Sequence, residues 1–242
     1  MNKLLLFLMI GLTYTLAIDE TLLKDMVEFD KAYIPALAFT TEGNAAKSNI
    51  AITKVVLQWT DFVRKYKDAS PSDNQWAIDL DSVSHHIQKA KQIILKNKDV
   101  VPAHEELEPI RLTLKHLRER HLVNYYIDLL TDFHAPMEGL VLSVKGKQIE
   151  EITPELIATM SLTLQKAKVI WAEVEGASFD ANLFGFDETK QKSLAKKIQS
   201  ERESLTQMEK ALLGDDKSLI IKSSLAIKPP FAQLFKMFGD FK

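Results

Sequence analysis

Residues 102–146, PAHEELEPIRLTLKHLRERHLVNYYIDLLTDFHAPMEGLVLSVKG, decide the fold of this chain. Leu107, Ile110, Leu114 and Leu117 recur at steps of three and four, and so do Leu130, Phe133, Met137, Leu140 and Val144. That is the period of a helix with one apolar face. Between the two runs the apolar stripe slips out of phase, and Asn124 is a residue type that caps helices. Residues 118–125 contain no Gly or Pro, so one continuous helix is the alternative. It would set His104 and His134 about 45 Å apart at 1.5 Å per residue. The phase slip favours a break, and with it an antiparallel helical hairpin turning near Leu122.

Helical periodicity extends over the rest of the chain. Only 8 Gly and 8 Pro occur, mostly between apolar segments, as breakers should. The pattern predicts helices over residues 20–41, ended by Gly43-Asn44, over 45–67 around Trp59, and over 74–96 with Val83, Ile87, Ala90 and Ile94 inward. Ser70-Pro71-Ser72-Asp73 separates the last two and offers caps. A fourth helix follows Pro102, and a fifth covers 125–145 up to Gly146. Thr153-Pro154-Glu155 supplies a cap, a proline at the first helical position and an acid in the first turn. It opens a sixth helix carrying Leu162, Ala167 and Trp171 to near Gly176. A loop with Phe179, Leu183, Phe184 and Phe186 is too apolar for water and is expected to lie across the bundle. Helices over 188–213 and 216–241 complete the chain, the last interrupted at Pro229-Pro230.

The second half reads as a diverged copy of the first. Gly43 and Gly146, both ending a helix, lie 103 residues apart, and Trp59 and Trp171, both in a second helix, 112 apart. Pro109-Ile110 with Leu114 and Leu117 matches Pro230-Phe231 with Phe235 and Phe238 at a spacing of 121. The expected fold class is all-α: about eight helices forming two related up-down four-helix bundles by internal duplication, residues 18–121 and 122–242.

Residues 1–17 stand apart from this plan. Lys3 is a positive start, Leu4 to Leu12 is an apolar run broken only by Gly11, and Thr15 and Ala17 are small residues at −3 and −1 of a cleavage point. This is the pattern of a cleaved signal peptide. The run is shorter than the roughly 20 apolar residues a membrane span needs. The expectation is a periplasmic or secreted soluble protein with no membrane span after cleavage. Hydrophobic residues make up 46% against 26% charged, enough to build a core. With 31 basic and 33 acidic residues the chain lacks the basic footprint of a nucleic-acid binder. The absence of cysteine excludes a lipid-modified N-terminal Cys, a disulfide scaffold, covalent c-type haem, Cys-ligated zinc and iron–sulfur clusters.

The candidate chemistry lies in the opening stretch. His104 precedes Glu108 by four residues, as His134 precedes Glu138, so each pair shares a helix face. Imidazole nitrogen with carboxylate oxygen suits zinc, copper or iron. In the hairpin, Glu108 is level with Pro136 and His104 with Leu140. Both histidines take heptad position e and both glutamates position b, and antiparallel helices set e opposite e. A two-His, two-carboxylate metal site follows from His104, Glu108, His134 and Glu138. The opposing reading is a solvated or ion-paired face, with Arg111 one turn after Glu108 as its partner. Tandem Glu-x-x-His and His-Glu-x-x-His motifs are absent.

Other polar features read as structural. His85-His86, after Asp79 and Asp81, reads as a surface helix with one His partly buried, and residues 115–121 as a solvated face around His116 and His121. Met26, Met137, Met160, Met208 and Met237 fit apolar stripes as core fillers, which disfavours haem. Phe231, Leu234, Phe235 and Phe238 follow helical spacing and read as a terminal helix closing the core, or as an aromatic knob for a partner. No Gly-x-Ser-x-Gly elbow or phosphate loop occurs, so no enzyme activity is signalled. Two functions remain. One is a protein that binds or handles a transition metal (Zn, Cu or Fe) through the His/Glu quartet. The other is a non-catalytic interaction module of the cell envelope, without metal, whose partner is another envelope protein.

Overall fold

The computed structural model describes residues 2–70, 73–96, 99–214 and 216–242, with side chains from residue 20 onward. The expected leader, residues 1–17, falls outside the described side chains, and so do Pro71 and Ser72 of the expected turn. The helices are α1 (Asn2–Thr41), α2 (Ala45–Tyr66), α3 (Asn74–Lys96), α4 (Val101–Arg120), α5 (Tyr126–Val144), α6 (Pro154–Gly176), α7 (Ala181–Phe184), α8 (Glu188–Leu212) and α9 (Lys217–Phe235). Short 3₁₀ turns occur at Ile149–Glu151 and Lys236–Phe238. The protein is all-α, and no strand occurs among the described residues.

The chain divides into two compact units. The first is Met1–Asn124 with Gly239–Lys242, the second Tyr125–Phe238. In the first, α1 packs on α2 and α4, and α3 packs on α2 and α4. In the second, α5 packs on α6 and α9, and α8 packs on α6 and α9. Each unit is thus a ring of four long helices joined by short connections, the arrangement in which consecutive helices bury their apolar stripes against each other.

Local chemistry sets the helix boundaries. The side chains of Asn44, Thr153, Asp187 and Asp216 accept from the N–H three residues on, at 2.7–3.2 Å, and start α2, α6, α8 and α9. The break after α4 is present. Val123 N–H turns back to the Arg118 carbonyl at 2.9 Å, with Leu122 between them at φ 55°. Glycine usually takes that left-handed position. Leu122 occupies it while 91% exposed, so its side chain crowds no neighbouring element. Tyr125, not Asn124, is the N-cap of α5, and it makes no side-chain cap.

Two expectations are corrected. α9 runs through Pro229-Pro230 without interruption. The prolines free the carbonyls of Leu225 and Ala226, which lie on exposed residues where water can satisfy them, while buried Ile227 and Phe231 hold the helix to the core. The 115–121 stretch is solvated only in part: His116, Glu119 and Arg120 are exposed, but Lys115 and Arg118 are buried, as is Arg111 before them. Lys115 pairs with Glu119 and Arg111 with Glu108, while an Arg118 guanidinium nitrogen lies 3.9 Å from Met26 Sδ. Their long apolar stems cover core while their cationic heads find partners.

The cores repeat one pattern. In the first unit Phe29 of α1 meets Trp59 of α2 edge-on, ring centres 5.1 Å apart. In the second, Phe133 of α5 meets Trp171 of α6 at 4.6 Å. Phe29 and Phe133 lie 104 residues apart, and Trp59 and Trp171 lie 112 apart. At the same spacing of 112, buried Ser48, Ile52, Val55 and Phe62 of α2 correspond to buried Met160, Leu164, Ala167 and Val174 of α6. The apolar segment after α6, expected as a loop, contains the short α7 and folds inward as expected, with Phe184 and Phe186 buried and in ring contact with Phe179 and Phe238.

Candidate functional site

The structure brings each His together with its own Glu. His104 Nε2 lies 3.1 Å from Glu108 Oε1, and Arg111 pairs with the other oxygen of Glu108. His104 Nδ1 lies 3.2 Å from the Leu37 carbonyl and 2.9 Å from the Thr41 hydroxyl. Both ring nitrogens are therefore engaged by the last turn of α1 and by Glu108. A metal would have to displace one of these contacts, because imidazole binds a metal through a nitrogen lone pair. His134 Nδ1 lies 3.7 Å from Glu138 Oε2, and Lys228 of α9 lies 3.6 Å from the other Glu138 oxygen. The His134 ring also lies against Phe231, with centres 5.9 Å apart.

His104 and Glu108 belong to the first unit, and His134 and Glu138 to the second. Among the described residues no three His, Asp or Glu side chains form a group that could hold a metal ion. Met26, Met137, Met160 and Met208 are buried in apolar stripes. Phe231, Leu234 and Phe238 are buried as well, so the α9 aromatic stripe closes the second core.

The remaining polar clusters fasten helices. Asp73 caps α3 through Gln75 N–H at 2.9 Å, and it meets His121 at 2.9 Å and Arg120 at 3.3 Å at the end of α4. Desolvation pushes its carboxyl up, but His121, the Gln75 N–H and Arg120 outweigh it and hold the group below its ordinary range. Glu106 of α4 meets Lys89 at 3.0 Å and His86 at 3.2 Å on α3, and Lys89 is the main cause of its lowered pKa. His86 is thus half-buried and paired across helices. Tyr33 of α1, buried, donates to the Leu107 carbonyl of α4 at 2.7 Å. Ser224 of α9 donates to the Leu140 carbonyl of α5 at 2.6 Å.

Sequence reasoning missed two features. Glu201 of α8 is wholly buried, and neither carboxyl oxygen has a partner at full hydrogen-bond geometry. Burial pushes its pKa up to about 8, the Phe231 N–H offsetting only part of the effect. Glu201 sits on the inward stripe with Leu194, Leu205 and Met208. Its place on an apolar stripe is the one signal the sequence carries for it.

The second missed feature is a pair of outward apolar side chains on the second helix of each unit. Ile50 and Leu57 on α2 are 64% and 63% exposed, and Leu162 and Val169 on α6 are 69% and 62% exposed. Each pair stands nine and two residues before the inward tryptophan of its helix, Trp59 or Trp171. Both pairs therefore occupy one register relative to the inward tryptophan of their helix. No helix among the described residues is long and apolar enough to cross a membrane. Comparison with family models, with curated proteins and with solved structures gives no match.

Proposed function

We propose that this chain is an exported, non-catalytic interaction module of the cell envelope, descended from a duplicated four-helix unit. In this reading the outer apolar pairs Ile50–Leu57 and Leu162–Val169 are two copies of one contact. The observation that carries it is their shared register against Trp59 and Trp171. Exposed apolar residues scattered singly need no explanation. Here seven residues separate the members of each pair, about 10.5 Å along a helix, and the spacing recurs at one place on two equivalent helices. The His104–Glu108 and His134–Glu138 pairs support the reading from the other side, since each is already engaged by protein groups. Export rests on the signal-like pattern of residues 1–17.

The test uses the mature protein and three variants: Ile50→Ser/Leu57→Ser, Leu162→Ser/Val169→Ser, and all four together. Proteins retained from envelope extract are compared at matched loading. The reading predicts that each double variant weakens capture of the same species and that the quadruple variant abolishes it. Undiminished capture by the quadruple variant contradicts it. Export is tested by N-terminal sequencing, which should begin at Ile18.

A further inference from the structure

Residues 239–242 lie in a slot formed by α1 and α2 of the first unit. The slot begins with Pro35, inside α1. Proline has no N–H, so the carbonyl four residues earlier, Lys31, loses its helical donor. The Asp240 N–H supplies one, donating to the Lys31 carbonyl at 2.8 Å. Residue 239 has to be glycine for the backbone to come this close. A Cβ there would meet Ile34 Cγ2 and Pro35 Cδ at 3.0 Å and Phe241 Cε2 at 2.8 Å. Phe241 then lays its edge on Phe39 of α1, ring centres 5.5 Å apart. Lys54 of α2 donates to a main-chain oxygen of Lys242 at 2.8 Å.

These contacts read a pattern rather than a mere apolar surface. A backbone acceptor takes the N–H of the middle residue, a steric wall admits only glycine before it, and an aromatic shelf takes the residue after it. Main-chain hydrogen bonds with side-chain pockets at set positions are the general mode by which extended peptides are recognised. We propose that this slot is a peptide-recognition site whose ligand is an extended Gly-Xaa-Phe segment. Gly239–Lys242 is its resident occupant, displaceable by the same sequence in trans. The tethered tail competes at an effective concentration on the order of millimolar, so the intact chain resists a free peptide.

The experiment measures fluorescence anisotropy of a labelled peptide of residues 236–242 with three full-length proteins: wild type, Gly239→Val and Phe241→Ala. Gly239→Val expels the resident tail, and Phe241→Ala removes one anchor without adding atoms, so it serves should the valine variant fail to fold by circular dichroism. The proposal predicts saturable binding to either variant at least about tenfold tighter than to wild type, from loss of the tethered competitor. It also predicts loss of that binding when the peptide itself carries the Gly239→Val or the Phe241→Ala change. Equal binding to variant and wild type, no binding to a folded variant, or binding indifferent to the peptide's glycine would each overturn it.

Discussion

Replacing Glu201 by methionine should stabilise the protein, and the gain should grow with pH. Folding moves this carboxyl from an ordinary value near 4.5 to about 8, because burial disfavours the charged form. Below the unfolded value the group is neutral in both states, and its titration costs nothing. Between pH 4.5 and 8 the unfolded chain ionises it and the folded chain does not, so stability falls by about 1.4 kcal/mol per pH unit. Above the folded value the cost levels off. The titration therefore costs about 3 kcal/mol at pH 7 and about 5 kcal/mol once pH exceeds 8, a large part of the 5–15 kcal/mol typical of a whole domain. Methionine has a similar volume and no charge. The assay is urea unfolding at pH 5, 6, 7, 8 and 9, followed by Trp171 fluorescence in a Trp59→Phe/Trp76→Phe background so that the second unit reports alone. Wild type should lose stability relative to Glu201→Met up to about pH 8 and run parallel beyond it. Parallel curves from pH 5 to 8 would refute the reasoning.

Four further outcomes follow from the geometry. His104→Ala removes the contacts to Thr41, Leu37 and Glu108 and should cost about 1–3 kcal/mol by chemical denaturation. Bound zinc, copper or iron after dialysis should be near zero in wild type and unchanged in His104→Ala/His134→Ala, whereas uptake lost in the double variant would restore the metal reading. Tyr33→Phe leaves the Leu107 carbonyl short of a buried donor and should cost about 1–2 kcal/mol without changing the circular dichroism spectrum. Gly146→Ala forces a Cβ onto a residue at φ 78° with nothing within 4 Å of it. It should therefore cost about 1 kcal/mol from backbone strain alone, read as a lower thermal midpoint.

Much of the fold was legible because helix ends announce themselves chemically. Asn44, Thr153-Pro154, Gly43 and Gly146 mark boundaries that the structure places within a residue of expectation. Tertiary packing overrode local rules elsewhere. Leu122 takes a left-handed turn without glycine, and Pro229-Pro230 stay helical, with the carbonyls they free on exposed residues and with Ile227 and Phe231 buried. Charge suggests exposure at Lys115 and Arg118, yet their stems cover core. The pairing of His104 with Glu108 and of His134 with Glu138 follows from i,i+4 spacing. The partners that complete those pairs, Thr41 and Lys228, come from other helices and carry no local signal. The docked tail was invisible for the same reason: Pro35 and Asp240 are about two hundred residues apart, and only the fold brings Lys31 to the tail.

The central claim is that α2 and α6 present the same contact twice. A photo-reactive residue placed at Leu57 or at Val169 in the exported protein, with irradiation of intact cells, tests it directly. Both positions should yield an adduct with the same partner, and a control at exposed Lys192 on α8 should yield none. No adduct from either position, or adducts no different from the control, would contradict the account.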